Sequence, residues 1–283
     1  MVALAAIVNK GVPGDKSISL FYNTGKAQLA LSLRSGTQDD DDPTQAWAAD
    51  ADDYDGYILN PSTMGGATYR GREFVIAVTM PKLDPGAPPF SRISIVSPVY
   101  QKLVNIQLEN NNVAVCSSDD DAWVYFVTGT GSKPRALKEV NIATGSQVDL
   151  PAVQNAFANS SLAAWYDPVE KKRHVVFESS ALMEYIVGDA SGATGNMKRN
   201  TSIAVSYWDG KAYLYYYDGT YAVQRIVKNG TWGGAQAVAN CPKISEDSQI
   251  AVVPANGINH LFFVAKDSGA AESDFFTHVR DPM

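Results

Sequence analysis

The chain has 283 residues, 45% of them hydrophobic, and a formal net charge of −7. That length buries a substantial core in one large domain or two small ones. The acidic balance, without clustered Lys and Arg, argues against a nucleic-acid partner, and no apolar run approaches the ~18 residues of a membrane span.

The opening segment "MVALAAIVNKG" has too short an apolar run and no basic leading region to read as a signal peptide. Three acceptor sequons, starting at Asn159, Asn200 and Asn229, point instead to a secretory or extracellular protein whose leader has been removed. A cytoplasmic location stays open. Helical periodicity is almost absent. Short runs of apolar, β-branched or aromatic residues recur, each closed by Gly, Asp, Asn or Ser, which is the pattern of strands and turns.

In chain order, a strand start of the form apolar-Ala-apolar appears at Leu4-Ala5-Ala6, Val113-Ala114-Val115, Leu162-Ala163-Ala164, Ile203-Ala204-Val205 and Ile250-Ala251-Val252. The last four central alanines are 49, 41 and 47 residues apart, whereas Ala5 and Ala114 are separated by 109. One degenerate copy is therefore expected between them, with Gly56-Tyr57-Ile58-Leu59 as its candidate start. A richer second strand follows each start: "SISLFYNTG", "REFVIAVTM", "AWVYFVTGTG", "RHVVFESS", "KAYLYYYDG" and "INHLFFVAKD". The clearest stretch predicts strands at 203–208, 212–217 and 221–227, separated by Asp209-Gly210 and Asp218-Gly219 and followed by Asn229-Gly230. Asp-Gly and Asn-Gly supply the positive φ angles of tight hairpins. Alternation sends Tyr213, Tyr215 and Tyr217 to one face and Leu214 and Tyr216 to the other.

Six copies of a four-stranded antiparallel unit of roughly 47 residues predict an all-β, six-bladed β-propeller over residues 1–283, a single domain. A β-sandwich, the rival architecture, does not predict a regular period. The last copy is short of a fourth strand, and residues 1–10 are expected to supply it. The acidic stretches "QDDDDP", "ADADDYDG" and "SSDDD" read as solvated loops; none fits a calcium loop, because the third ligand position counted from Asp50 is Tyr54. Cys116 and Cys241 have no metal-type spacing, which leaves one bridge or two buried thiols open.

"LAAIVNKG…SISLFYNTGKAQLALSLRSG" and the later "LAAWYD…RHVVFESSALMEYIVGD" resemble the fungal fucose-specific lectins, through repeat period and strand pattern more than identity. The resemblance implies a six-bladed propeller with fucose pockets between adjacent blades. Each pocket would use an Arg on the second strand, a Glu on the third and aromatic residues including Trp, so that charged groups bind hydroxyls and a ring covers the apolar sugar face. In this chain the Arg position holds Ser19, Phe74, Trp123, His174, Tyr213 and His260. The Glu position keeps Glu139 and Glu184 but reads Leu29, Ser94 and Arg225 in the first, second and fifth copies, with the sixth unaligned. Arg72 and Arg173 lie close to the expected register, and a one-residue slip would turn each side chain to the opposite sheet face.

No copy keeps the Arg/Glu pair. The resemblance then implies a leading function other than sugar binding, since similar proteins have been recruited into fungal natural-product biosynthesis as hetero-Diels–Alder cyclases; a lectin with altered or partial sites is the alternative. The cyclases join a quinone methide to a humulene-type alkene. Such an enzyme needs no cofactor: it holds two apolar partners in register, donates a hydrogen bond to the heterodiene oxygen and excludes water. On this reading Tyr213, His174 and His260 are the catalytic donors, Trp123 and Phe74 are walls, and Glu139 and Glu184 contact substrate. The partners are then apolar small molecules, with fucosylated glycans as the alternative, and a homodimer stays open. Hydrolase, phosphate-loop, zincin and dinucleotide motifs are absent from the sequence.

Overall fold

The computed structural model describes residues 2–9, 11–12, 14–38, 44–48, 57–81, 89–129, 135–154, 156–157, 159–179, 181–187, 192–195, 201–267 and 276–283. Every regular element among them is a strand, and the strands form six antiparallel sheets. Blade I comprises Leu4–Val8, Ile18–Asn23, Leu29–Arg34 and Thr44–Ala48. Blade II comprises Met64–Tyr69, Arg72–Met80, Ser91–Ser97 and Gln101–Ile106, with Tyr57–Ile58 added at the far end of its second strand. Blade III comprises Val113–Ser117, Ala122–Thr128, Ala136–Asn141 and Gln147–Gln154. Blade IV comprises Leu162–Asp167, Lys172–Glu178, Leu182–Ile186 and Gly192–Gly195. Blade V comprises Ala204–Trp208, Lys211–Tyr217 and Val223–Asn229, with Thr231–Trp232 and Gln236–Ala237 pairing onto the third strand. Blade VI has three described strands, Ala251–Ala255, Ile258–Phe263 and Thr277–Pro282.

The innermost strands contact one another in a closed cycle, I to II through to VI and back to I. They surround a channel of only about 90 Å³. That crowding is the physical reason for the alanine repeat. Ala5, Ala114, Ala163, Ala204 and Ala251 line the channel, and in blade II the equivalent place is held by Gly65. A Cβ on Gly65 would stand 2.5 Å from Val115, and one on Gly66 would stand 2.6 Å from Ile7. The degenerate copy thus begins at Met64-Gly65-Gly66. Tyr57–Ile58, expected there, instead pairs with Thr79 and Met80, and Gly56 lies outside the described residues.

Residues 1–10 do not complete the last blade. Leu4–Val8 is the inner strand of blade I, paired with Ile18–Tyr22. The ring is clasped just before it, where Val2 forms a parallel bridge to Ser248. Gln249 fastens the same seam: its Oε1 accepts from the backbone N–H groups of Leu4 and Met64, and its Nε2 donates to the Met64 carbonyl.

The fifth-blade meander forms as its turns dictate. Asp209 (φ 47°) and Gly210 (φ 76°) supply the two left-handed residues of the first turn. The second turn is a longer loop, because Asp218 Oδ1 accepts from the backbone N–H groups of Thr220 and Ala222, so the third strand starts at Val223 rather than 221. The tyrosines alternate as expected. Tyr213, Tyr215 and Tyr217 pack toward blade VI with Leu261 and Phe263, while Leu214 and Tyr216 pack toward blade IV with Trp165 and Val176. Cys116 and Cys241 are both free thiols. Burial pushes the Cys116 thiol up to about 12, so it is a buried, inert thiol. Of the acidic stretches, residues 39–43 and 49–56 lie outside the described residues, while Ser117–Asp121 forms the hairpin between the first two strands of blade III.

Candidate binding site

The six residues expected at the Arg position are equivalent in the structure. Ser19, Phe74, Trp123, His174, Tyr213 and His260 pair with Ile7, Ala67, Cys116, Trp165, Ser206 and Val253, each two residues past the channel-lining position. The second-strand residue two further along pairs with the third-strand residue in question, giving Leu31, Ile95, Glu139, Glu184, Arg225 and His278. Leu29 is therefore replaced by Leu31. Ser94 is replaced by Ile95, because Ser94 pairs with Ala77 and Ile95 with Ile76, and the unaligned sixth position is His278.

These positions build three charged centres between blades. Between III and IV, the buried Glu139 carboxylate accepts from the Tyr125 hydroxyl at 2.7 Å and from Arg173 at 2.9 Å (Nε) and 3.3 Å (Nη2). The Arg173 guanidinium lies 4.7 Å from the centre of the Trp123 ring, and Trp123 stacks on Tyr166 at 5.8 Å. Between IV and V, Glu184 meets His174 Nδ1 at 2.7 Å, Lys228 Nζ, and Trp232 Nε1 at 2.8 Å. Burial alone would raise the Glu184 carboxyl, but hydrogen bonds from His174, Lys228 and Trp232 outweigh it and hold the group at about 2. Between V and VI, Asp281 accepts from the Tyr215 hydroxyl at 2.6 Å and from Arg225 Nη1 at 2.8 Å.

The remaining expected site residues are apolar contacts or buried pairs. Phe74 packs against Tyr69 at 5.8 Å. Tyr213 is 5% exposed within the cluster shared by blades V and VI. His260 is fully buried with Nδ1 2.9 Å from His278 Nε2, and burial holds its pKa below the usual histidine value.

A cavity of about 1230 Å³ widens from the channel toward the ends of the inner strands. Its lining includes Trp123, Tyr166 and Arg173 from the III/IV centre, Trp165 and Tyr207, and the acidic hairpin Asp119–Asp121 of blade III. Of the residues expected to form a site, Trp123 lines this cavity; Glu139 stands behind it as the anchor of Arg173, and Tyr213, His174 and His260 do not line it. The sequence reading missed Arg173 as the partner of Glu139, because the two come from different blades. It also passed over Trp165-Tyr166 in "LAAWYD", where the signal was present: two aromatics follow the small channel residues.

The fold has solved counterparts. A variant of the Aleuria aurantia lectin in complex with α-methyl-L-fucoside superposes with a TM-score of 0.69 at 13% identity, covering 99% of this chain and 95% of that one. The SapL1 lectin in complex with α-methyl fucoside gives 0.65 at 12% identity, covering 100% and 96%. AofleA from Arthrobotrys oligospora gives 0.64 at 8% identity, covering 100% and 86%. The Aleuria aurantia lectin is a six-bladed β-propeller with a fucose recognition mode of its own. This chain shares that fold. No protein-family model matches the chain, and no curated protein matches it.

Proposed function

We propose that this propeller is a lectin-like saccharide-binding protein whose principal site is the blade III/IV edge of the cavity. The supporting observation is the grouping of Arg173, held bidentately by Glu139, above the Trp123 ring at the cavity wall. Arg supplies fixed donors for vicinal hydroxyls, and the Trp123–Tyr166 pair offers a flat apolar surface for a pyranose face. The similarity to fucose-binding lectins suggests the ligand class. It does not carry over their sites, since none of the six equivalent second-strand residues is Arg. A single dominant site per chain is the consequence.

A cofactor-independent hetero-Diels–Alder cyclase is the second reading, favoured by the cavity's volume and its four aromatic walls, Trp123, Trp165, Tyr166 and Tyr207. The acidic hairpin in the lining and the placement of Tyr213, His174 and His260 away from the cavity weigh toward saccharide binding.

A glycan array followed by calorimetric titration separates the two. Saccharide binding predicts saturable uptake at one site, lost in Trp123→Ala. Absence of any bound saccharide, together with a non-racemic adduct from a generated quinone methide and a humulene alcohol, would favour the cyclase.

A further inference from the structure

The two ring nitrogens of His174 have different surroundings. Nδ1 is 2.7 Å from Glu184 Oε1, an ionised carboxylate that Lys228 and Trp232 also hold. With Nδ1 turned to that carboxylate, Nε2 is the ring nitrogen left to offer a lone pair to a ligand. Nε2 has no hydrogen-bond partner, although the residue is only 3% exposed and its ring is stacked on Trp165 at 4.5 Å. An unpaired polar atom at that depth is costly and calls for an occupant.

Two carboxylates near the His174 ring come from the hairpin between the first two strands of blade IV. One ligand atom from each of Asp167, Glu170 and His174 lies within 4.8 Å of the others. Asp167 is fixed rather than floppy, since its Oδ1 accepts from the backbone N–H groups of Val169 and Glu170 at 2.8 and 3.1 Å. Glu170 is exposed and its carboxylate lies 3.6 Å from Lys172 Nζ, a kind of pair worth little in water.

We propose that Asp167, Glu170 and His174 form a binding site for a borderline divalent transition ion, with Zn²⁺ as its best-suited occupant. An imidazole with two carboxylates matches Zn²⁺ better than Mg²⁺ or Ca²⁺, which prefer oxygen alone. Glu184 then plays the outer role seen where a carboxylate orients a metal-bound histidine. Three protein ligands leave coordination positions for water. Metal binding at this site does not rest on the saccharide reading, although its ligands Asp167 and His174 neighbour Tyr166 and Arg173 on the same blade IV strands.

The test is calorimetry of the full, chelator-treated chain with ZnCl₂, MgCl₂ and CaCl₂, supported by Co²⁺ absorption. The expected result is one Zn²⁺ per chain, no comparable uptake of Mg²⁺ or Ca²⁺, and a Co²⁺ ligand-field band. Loss of an outer partner typically costs ~10–100-fold in metal affinity, so Glu170→Gln, which removes a direct ligand on the surface, should cost at least about tenfold. His174→Gln should abolish binding, and Glu170→Gln keeps the test decisive if that variant misfolds. His278→Gln, distant in the ring, should leave binding unchanged. The proposal is overturned by the absence of saturable 1:1 binding, by equal affinity for Mg²⁺, or by binding that survives Glu170→Gln but is lost in His278→Gln.

Discussion

Blades III and V meet their successors through charge-inverted versions of one device. Tyr125 and Tyr215 are equivalent second-strand residues, and Glu139 and Arg225 are their equivalent third-strand neighbours. The next blade supplies the opposite charge in each case, Arg173 to Glu139 and Asp281 to Arg225, with the tyrosine hydroxyl on the carboxylate both times. The surroundings differ. At III/IV the arginine lies over Trp123 on the cavity wall; at V/VI the residue equivalent to Trp123 is Tyr213, packed in the core, and Arg225 turns to the Pro282 carbonyl and Gln236. A repeat fold thus keeps one inter-blade clamp in several copies and places one of them on the cavity wall.

The largest effect expected is from Asp281→Ala, which strands the Arg225 charge and the Tyr215 hydroxyl. Breaking a buried pair costs ~3–5 kcal/mol, and because Arg225 is 22% exposed the low end, about 3 kcal/mol, is expected in urea unfolding. Saccharide affinity of the folded variant should not change; if it falls, the V/VI clamp is not purely structural. Glu139→Gln should cost less in stability, about 1.5–3 kcal/mol for weakened hydrogen bonds to a charged group. It should weaken saccharide binding, however, because Arg173 loses its bidentate anchor. Equal behaviour of the two variants in both assays would erase the distinction between the regions.

The architecture was legible in the sequence because strand period and inner-strand alanines follow directly from packing six strands around a narrow axis. Blade II escaped in detail because glycines replace alanine there, and the pairing of Ile76 with Ile95 puts the expected Ser94 one residue out of register. The candidate site was legible only in part. Trp123 and Glu139 stood out by register, but Arg173, Lys228 and Trp232 reach their carboxylates across a blade boundary, a relation that strand pattern within one repeat does not encode.

A third variant probes the clamp at IV/V. The Glu184 carboxyl is depressed in the folded state to about 2 from an ordinary value near 4.5. A depressed carboxyl contributes stability that is present above the unfolded pKa and lost as pH falls toward the folded one. The stability advantage of the wild type over Glu184→Gln should therefore be constant above about pH 5 and shrink from pH 4.5 toward 2, as followed by urea midpoints. An advantage that is flat over that window would remove Glu184 from the set of ionised clamps. The smallest effect belongs to Tyr213→Phe, which keeps the packing and deletes one hydroxyl: within about 1 kcal/mol in stability, with no change in saccharide binding.

The most direct measurement is calorimetric titration of wild type, Trp123→Ala and Arg173→Met with the strongest saccharide found on a glycan array. One site per chain is expected in the wild type, and no measurable binding in either folded variant. Several equivalent sites per chain, or binding that persists in both variants, would contradict it.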